Sequence, residues 1–198
     1  MSPSRAGGGE AAELLLRMAG IAGWRGGRLL FEGVDLDLGR GGAAVVSGPN
    51  GVGKSSLLRI AAGLLRPAAG IVTRATAALA DEQLALEPRS SLEDALGFWA
   101  RLDRSATGPA LEAMGLAHLR QIPVRILSTG QRKRAALARV IASGAPLWIL
   151  DEPGNGLDAE GQERLAAAMA AHRAGGGAIL AATHQPLGMA DAVEVRLA

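Results

Sequence analysis

One segment constrains the fold of this chain more than any other: the glycine-rich run Gly48-Pro49-Asn50-Gly51-Val52-Gly53-Lys54-Ser55. It has the form G-x-x-x-x-G-K-S, in which glycines let the backbone curl and aim several N–H groups at one point. The apolar residues 43–46 precede it, and residues 55–65 follow with helical spacing. A loop between a strand and a helix N-terminus favours phosphate binding, because the helix end carries partial positive charge.

Each part of this loop has an expected role toward a bound nucleotide. Lys54 supplies a mobile ammonium for the β- and γ-phosphates, and the Ser55 hydroxyl is placed to ligate Mg²⁺. A chance glycine-rich turn is the simpler explanation, but every fixed position of the motif is present in the required context. The nucleotide-binding residues predicted here are Gly48, Pro49, Asn50, Gly51, Val52, Gly53, Lys54, Ser55 and Ser56.

A second chemical signal stands at the end of an apolar run, where Leu147 to Leu150 lead into Asp151, Glu152 and Pro153. Open α/β sheets place ligands at the carboxyl ends of their strands. We expect Asp151 to hold Mg²⁺ through water, and Glu152 to polarise the water that attacks the nucleotide. A capping acidic pair explains either residue alone, but explains both poorly downstream of a phosphate loop.

Composition and patterning point to one α/β domain. Of the 198 residues, 48% are hydrophobic. The net charge is only +2, which gives little support to nucleic-acid binding. The absence of cysteine excludes disulfides. No apolar run approaches the roughly 20 residues that span a bilayer. Periodicity predicts strands at 34–38, 43–46, 146–150, 178–182 and 193–197. It predicts helices at 55–65, 132–141 and 165–172, and a helical stretch at 91–122 with breaks at 107–109 and at Gly115. Alternating strands and helices predict a mostly parallel sheet.

The segment Leu127-Ser128-Thr129-Gly130-Gln131 adds a second helix N-terminus. Ser128 and Gln131 fit a capping box, and a well-capped helix is the modest explanation. The same end, with its free amides, also suits a γ-phosphate. One domain cannot easily apply two phosphate sites to one ATP, whereas two domains facing head to tail can. The basic residues 132–134 are interpreted as a solvated helix face.

Together these segments resemble the ATP-binding-cassette (ABC) ATPases from about Leu14 to the end of the chain. The resemblance implies a P-loop NTPase core with a mostly parallel sheet, an antiparallel N-terminal β part, and a helical subdomain at about 84–140 inserted in one domain, 12–198. Residues 1–11 are expected to form a flexible tail. Further site residues implied are Gln83 as a catalytic residue and Mg²⁺ ligand, His184 against the γ-phosphate, Trp24 on adenine, and Ser128, Gly130, Gln131 and Asp158 toward the opposite copy's ATP.

Several stretches resemble, more narrowly, the ATP-binding subunits of haem exporters in bacterial cytochrome c maturation. They are 127–134, 145–153 and 176–187. This resemblance implies MgATP as cofactor, a second copy and membrane-spanning subunits as partners, and a peripheral place on the cytoplasmic face of the inner membrane. Neither nucleic-acid binding nor direct insertion into the membrane is expected. Asp81 and Glu82 depart from the Gly-His pair that commonly precedes the glutamine.

Three other functions remain open from the sequence. The first is the ATPase of another small bacterial ABC transporter. The second is a soluble ABC ATPase acting on nucleic acid or ribosomes, although the interval from Lys54 to Ser128 has no room for the long coiled coil of DNA-repair relatives. The third is a non-hydrolysing regulator, which the presence of both Lys54 and Glu152 disfavours.

Overall fold

The computed structural model describes residues 13–103 and 105–198. The tail expected at 1–11 lies outside them. The strands are β1 (Leu14–Arg25), β2 (Arg28–Gly39), β3 (Ala43–Ser47), β4 (Ala69–Arg74), β5 (Ala77–Ala80), β6 (Leu147–Asp151), β7 (Ala178–Ala182) and β8 (Val193–Arg196). The helices are α1 (Lys54–Ala61), α2 (Leu92–Asp103), α3 (Gly108–Ala113), α4 (Thr129–Ala142) and α5 (Ala159–Ala174), with short 3₁₀ turns at Ala117–Leu119 and Val124–Ile126.

The centre of the fold is a five-stranded parallel sheet in the order β5-β6-β7-β3-β8. Its middle strands β6 and β7 are buried along their whole length, as continuous apolar strands in a covered parallel sheet should be. This confirms the α/β prediction. Because all five strands run the same way, the carboxyl ends of β3, β6 and β7 lie at one edge of the sheet.

Side chains of β6 show how the sheet is covered on both faces. Trp148 and Leu150 pack into a core formed with helices α2 to α5, whereas Leu147 and Ile149 pack into a second core with α1 and the N-terminal strands. Successive residues of a strand point to opposite faces, so one five-residue strand serves both cores. The position of its last residue, Asp151, is therefore fixed from two sides.

The N-terminal strands form a separate antiparallel sheet in the order β2-β1-β4. The strand predicted at 34–38 is the C-terminal half of β2. Strand β1 was not predicted because it alternates poorly: its register against β2 shifts at several points, and Gly20 adopts a φ of 61°. The β1–β2 hairpin turns through Gly26 and Gly27, both at positive φ, which suits a tight two-residue turn. Strands β4 and β5 were also not predicted from the sequence.

Three helices lie between β5 and β6 and share one core, in which Leu96, Leu111 and Leu137 are fully or almost fully buried. The helical stretch predicted at 91–122 is interrupted at both predicted breaks: α3 begins at Gly108 with Pro109 in its first turn, where proline is tolerated, and ends before Gly115. Helix α1 ends at Ala61, earlier than predicted, and α5 begins at Ala159, earlier than predicted. Within 13–103 and 105–198, no helix is long and apolar enough to cross a membrane.

Candidate functional site

The phosphate loop connects β3 to α1, and two of its glycines are required by the space around them. Gly48 has a φ of 140°, and a Cβ there would come within 2.5 Å of the Leu197 carbonyl oxygen. Gly53 has a φ of 114°, and a Cβ there would lie 2.9 Å from the Phe31 ring. A side chain at either position would displace the loop, so the backbone itself sets the shape of this end of the site.

The first turn of α1 leaves its N–H groups free for a ligand. Gly53 caps the helix without a side-chain hydrogen bond, and the first turn contains no acidic residue. Unpaired amides and the partial positive charge of a helix N-terminus together favour an anion. Gly53 and Ser55 at this helix end both line a cavity of about 460 Å³.

Lys54 is buried at the same helix end and its ammonium links the loop to the rest of the site. Nζ donates to the carbonyl oxygens of Gly48 at 2.8 Å and Pro49 at 3.1 Å. It also lies 3.1 Å from Nε2 of His184, a residue 130 positions away in the chain. The ammonium is therefore held where the loop meets the end of β7.

The acidic end of β6 faces the loop across the cavity. Asp151 is buried, and the Glu152 carboxylate lies 3.5 Å from Nε2 of His184. Its Oε2 is buried without a hydrogen-bond partner among the described residues. An unpaired buried oxygen costs free energy unless a ligand or a water molecule donates a hydrogen bond to it. The Glu152 carboxylate is therefore suited to accept a hydrogen bond from a water molecule in the cavity.

The cavity brings together most of the predicted catalytic groups. Its lining joins the phosphate loop to the ends of three different strands, and the His184 ring reaches Asn50 at 3.2 Å. The predicted residues that line it are Asn50, Gly51, Gly53, Lys54, Ser55, Ser56, Asp151, Glu152 and His184. The remaining residues of the loop, Gly48, Pro49 and Val52, shape it from outside that lining.

Glu82, not Gln83, lines the cavity after strand β5. The backbone N–H of Gln83 donates to the Asp81 carboxylate at 3.0 Å, which turns the chain at this point. The assignment of Gln83 to catalysis and metal binding stays a prediction, and Glu82 is a second candidate that the sequence analysis passed over. The available signal was the pair of carboxylates that follows the apolar residues 77–80, as an acidic pair follows the apolar residues of β6.

At the other end of the cavity the lining includes Arg25 and Leu30 of the β1–β2 hairpin. Trp24 does not line it and is 56% exposed in this structure. Its assignment to the adenine ring stays a prediction. Alternation explains the difference, because neighbouring residues on β1 point to opposite faces and only one of Trp24 and Arg25 faces the loop.

The capping box that the sequence predicts is present at the start of α4. The Ser128 hydroxyl accepts from the Gln131 N–H at 3.2 Å, and the Gln131 side chain accepts from the Ser128 N–H at 2.9 Å. Asp158 caps α5, accepting from the Gly161 N–H at 2.8 Å. Neither the signature segment, residues 127–131, nor Asp158 contributes to the lining of the cavity that contains Lys54. Their assignment to ATP stays a prediction.

Lys133 corrects the interpretation of residues 132–134 as a solvated helix face. Arg132 is exposed, but Lys133 is half-buried and donates from Nζ to the Asp151 carbonyl oxygen at 3.3 Å. Burial lowers the pKa of the Lys133 ammonium below its usual value, while the nearby carboxylates of Asp151 and Glu152 oppose that shift. Helical spacing was the missed signal, because Lys133 shares a face with the buried Ala136 and Val140.

Arg134 is the second residue of that run to leave the solvated face. It is half-buried, and its guanidinium donates to the carbonyl oxygen of Met114 at 3.4 Å. Residues 132–134 therefore connect α4 to the end of α3 on one side and to the acidic end of β6 on the other.

Asn155 is a further residue of the cavity lining that the sequence analysis did not place there.

Comparison with known proteins gives a consistent result. A family model described as ABC transporter matches residues 31–155. The chain is 54% identical over 186 residues to a protein of Sphingopyxis alaskensis named cytochrome c biogenesis ATP-binding export protein CcmA, covering 92% of this chain and 96% of that one. A protein of the same name from Novosphingobium aromaticivorans is 58% identical over 170 residues, covering 85% and 88%.

A solved structure is similar over most of the chain. It is a dimeric ATP-binding cassette in a post-hydrolysis state, bound to ADP and Pi, and the similarity covers 92% of this chain and 94% of that chain with a TM-score of 0.80. At 20% sequence identity this likeness concerns the fold. It agrees with a parallel sheet flanked by helices and by an antiparallel N-terminal sheet.

Proposed function

This chain belongs to the ABC transporter family, and we propose that it is the ATP-hydrolysing subunit of a membrane exporter that serves cytochrome c biogenesis. The names of its relatives support the export role, and the resemblance to haem-exporter subunits makes haem handling the process that ATP drives. One observation carries the ATPase assignment. Lys54, Asp151, Glu152 and His184, from distant parts of the chain, line one cavity at the edge of the parallel sheet.

Binding begins at the phosphate loop. The free amides at the start of α1 and the Lys54 ammonium receive the β- and γ-phosphates, since both supply positive charge at this end of the cavity. Lys54 then exchanges its present partners, the Gly48 and Pro49 carbonyls, for phosphate oxygens. The exchange is favourable because a charge-assisted hydrogen bond to phosphate is stronger than one to a neutral carbonyl.

The residues present fit Mg²⁺. The Ser55 hydroxyl and the carboxylates of Asp151 and Glu82 line the same cavity, and oxygen ligands of this kind suit the ion. Among the described residues no group of three His, Cys, Asp or Glu side chains forms a metal cluster, which agrees with an ion held mainly by phosphates and water. When bound, Mg²⁺ neutralises charge that develops on the phosphate oxygens.

Hydrolysis follows from the positions of Glu152 and His184. The Glu152 carboxylate accepts a proton from the attacking water as that water's oxygen bonds to the γ-phosphorus. The bond from the γ-phosphorus to the bridging oxygen breaks, and ADP and phosphate leave. His184 lies 3.1 Å from the Lys54 ammonium and 3.5 Å from the Glu152 carboxylate, so it is placed to contact the transferring phosphoryl group.

The signature segment is proposed to act on the ATP of a second copy. Ser128, Gly130 and Gln131 lie outside the cavity that contains Lys54, although their helix end is suited to a phosphate. Two copies facing head to tail would place each signature over the other copy's loop. In that arrangement Asp158 would contact the opposing copy, and the helical subdomain at about 84–140 would carry the signature within a single domain, 12–198.

The membrane partners are proposed from the same family evidence. A peripheral subunit bound to membrane-spanning subunits at the cytoplasmic face of the bacterial inner membrane accounts for a chain that would power export. The partner set is tested by pulling down the native complex from membranes and identifying its subunits. Cytochrome c maturation subunits support the proposal; a different permease, ribosomes or DNA would contradict it.

The activity is tested by Glu152→Gln in that native complex. The amide keeps the shape of the side chain but cannot accept the proton, so turnover should fall roughly 10²–10⁴-fold while ATP binding persists. Glu163→Gln on α5 is the matched control, because Glu163 does not line the cavity. Undiminished hydrolysis by Glu152→Gln would contradict the proposed role of this carboxylate.

A further inference from the structure

The peptide bond between Asp151 and Glu152 is held at both of its polar atoms. Its carbonyl oxygen, on Asp151, accepts from Lys133 Nζ at 3.3 Å. Its N–H, on Glu152, donates to the Ala182 carbonyl of β7 at 2.8 Å. Two hydrogen bonds from opposite sides fix the plane of a peptide, because rotating it breaks at least one of them.

The backbone beyond this peptide is strained. Glu152 has a φ of 46°, and it is the only non-glycine residue at positive φ among those the structure describes. Such a conformation costs free energy for a residue with a Cβ and persists only where the surroundings determine it. Here that conformation directs the Glu152 side chain toward His184, at 3.5 Å.

Lys133 is the one member of this arrangement that comes from a distant helix. It lies on α4, five residues after the capping Ser128, and its half-buried ammonium stands near the carboxylates of Asp81, Glu82, Asp151 and Glu152. A cation among four carboxylates also reduces their mutual repulsion. A buried lysine is otherwise unfavourable, so its hydrogen bond to a backbone carbonyl has to compensate for lost hydration.

We propose that Lys133 is a positioning residue that holds the Asp151–Glu152 peptide in the plane required for Glu152 to face the attacking water. This inference rests on the proposed ATPase function and adds a residue that works through Glu152 without touching the nucleotide. It also joins two sites physically. The helix that presents its N-terminus to one ATP is bonded to the strand end that acts on the other.

The first test compares variants of Lys133 in the native complex. Lys133→Met removes the donor, and the turnover number should fall about tenfold while the affinity for MgATP changes less than twofold. Lys133→Arg keeps a donor and should retain at least half of the turnover, whereas Lys133→Ala, which has no donor, should behave as Lys133→Met. The exposed neighbour gives the control, since Arg132→Met should keep the wild-type turnover. If Lys133→Met does not fold, the turnover of Lys133→Arg compared with that of Lys133→Ala decides the question.

The second test is a double-mutant cycle with Glu152→Gln, measured as single-turnover rates. If Lys133 acts through Glu152, Lys133→Met slows the wild type about tenfold and slows Glu152→Gln less than twofold. An equal factor in both backgrounds, or an unchanged rate in Lys133→Met, would overturn the inference. Failure of the proposed function would look different, because Glu152→Gln alone would then hydrolyse ATP at the wild-type rate.

Discussion

The phosphate loop and the acidic end of β6 line the same cavity but are built in different ways. The loop is one continuous segment whose shape is set by backbone, with glycines at the two points where Leu197 and Phe31 leave no room for a Cβ. The acidic end assembles side chains from β6, the end of β7, the segment after β5 and helix α4. A sequence predicts a local backbone motif directly. It does not predict a site whose side chains come from several distant elements, because their positions depend on long-range packing.

The two regions meet at Lys54, so the largest effect is expected there. Lys54→Met should lower the affinity for MgATP at least about 100-fold, because the site loses the ammonium that neutralises phosphate charge. Arg66→Met, at an exposed position after α1, is the charge-matched control. Calorimetric titration with MgATP measures both, and unchanged affinity in Lys54→Met would place the phosphates elsewhere.

Gly53→Ala tests the claim that the loop is governed by backbone. The new methyl group would lie 2.9 Å from the Phe31 ring at a φ of 114°, so overpacking and backbone strain should together cost about 2–4 kcal/mol. Gly188→Ala has a positive φ of 72°, close to the left-handed region, with no atom within 4 Å of the added Cβ, and should cost only that smaller strain. Denaturant unfolding compares the two; equal losses would mean that the contact with Phe31 is not restrictive.

Ser128→Ala changes a residue outside the cavity, so it tests the signature separately from the phosphate loop and from the acidic end of β6. Loss of the cap should lower the free energy of unfolding by about 1 kcal/mol, while ATP affinity of the single copy stays unchanged. The neighbouring Thr129→Ala, which removes no capping hydrogen bond, is the control. A large loss of ATP affinity in the single copy would show that the signature acts on its own chain's nucleotide.

The smallest expected effect concerns the contact between His172 of α5 and Trp148 of β6. His172 stacks on Trp148 with ring centroids 3.9 Å apart, and burial lowers the pKa of His172. The unfolded chain then takes up the proton more readily, so stability is complete above the usual pKa of about 6.5 and declines as pH falls through that value. Thermal unfolding between pH 7 and pH 5 should show a shallow loss that His172→Phe flattens. Equal slopes in both proteins would contradict this assignment.

Sequence patterns predicted the loop, the capping box and the buried strands β6 and β7 because each is local. A glycine at a fixed offset, a Ser three residues before a Gln, or a continuous apolar run carries its own physical cause. Strand β1 failed for the converse reason. Its bulges break the alternation on which the prediction depends, and its stability comes from pairing with β2 and β4 and from core packing, both of which are long-range.

The site shows the same division. Asp151 and Glu152 were predicted because they follow an apolar strand. At two other strand ends, the sequence did not show which of two adjacent side chains faces the cavity. Glu82 faces the cavity beside Gln83, and Arg25 faces it beside Trp24. Such one-residue differences depend on the rotation of each strand as it leaves the sheet. Lys133 was missed for another reason: a basic run suggests solvent exposure, and its helical spacing from the buried Ala136 and Val140 was the signal that pointed the other way.

The central claim is that the loop and the signature of one chain serve two different ATP molecules. It is tested most directly by mixing two inactive variants, Glu152→Gln and Ser128→Arg, as coexpressed copies in the native complex. A mixed pair contains one site with an intact loop, Glu152 and signature, so MgATP hydrolysis should return to roughly one quarter of the wild-type rate. If each chain used both segments on its own nucleotide, no mixture would contain an intact site, and hydrolysis would stay at the level of the separate variants.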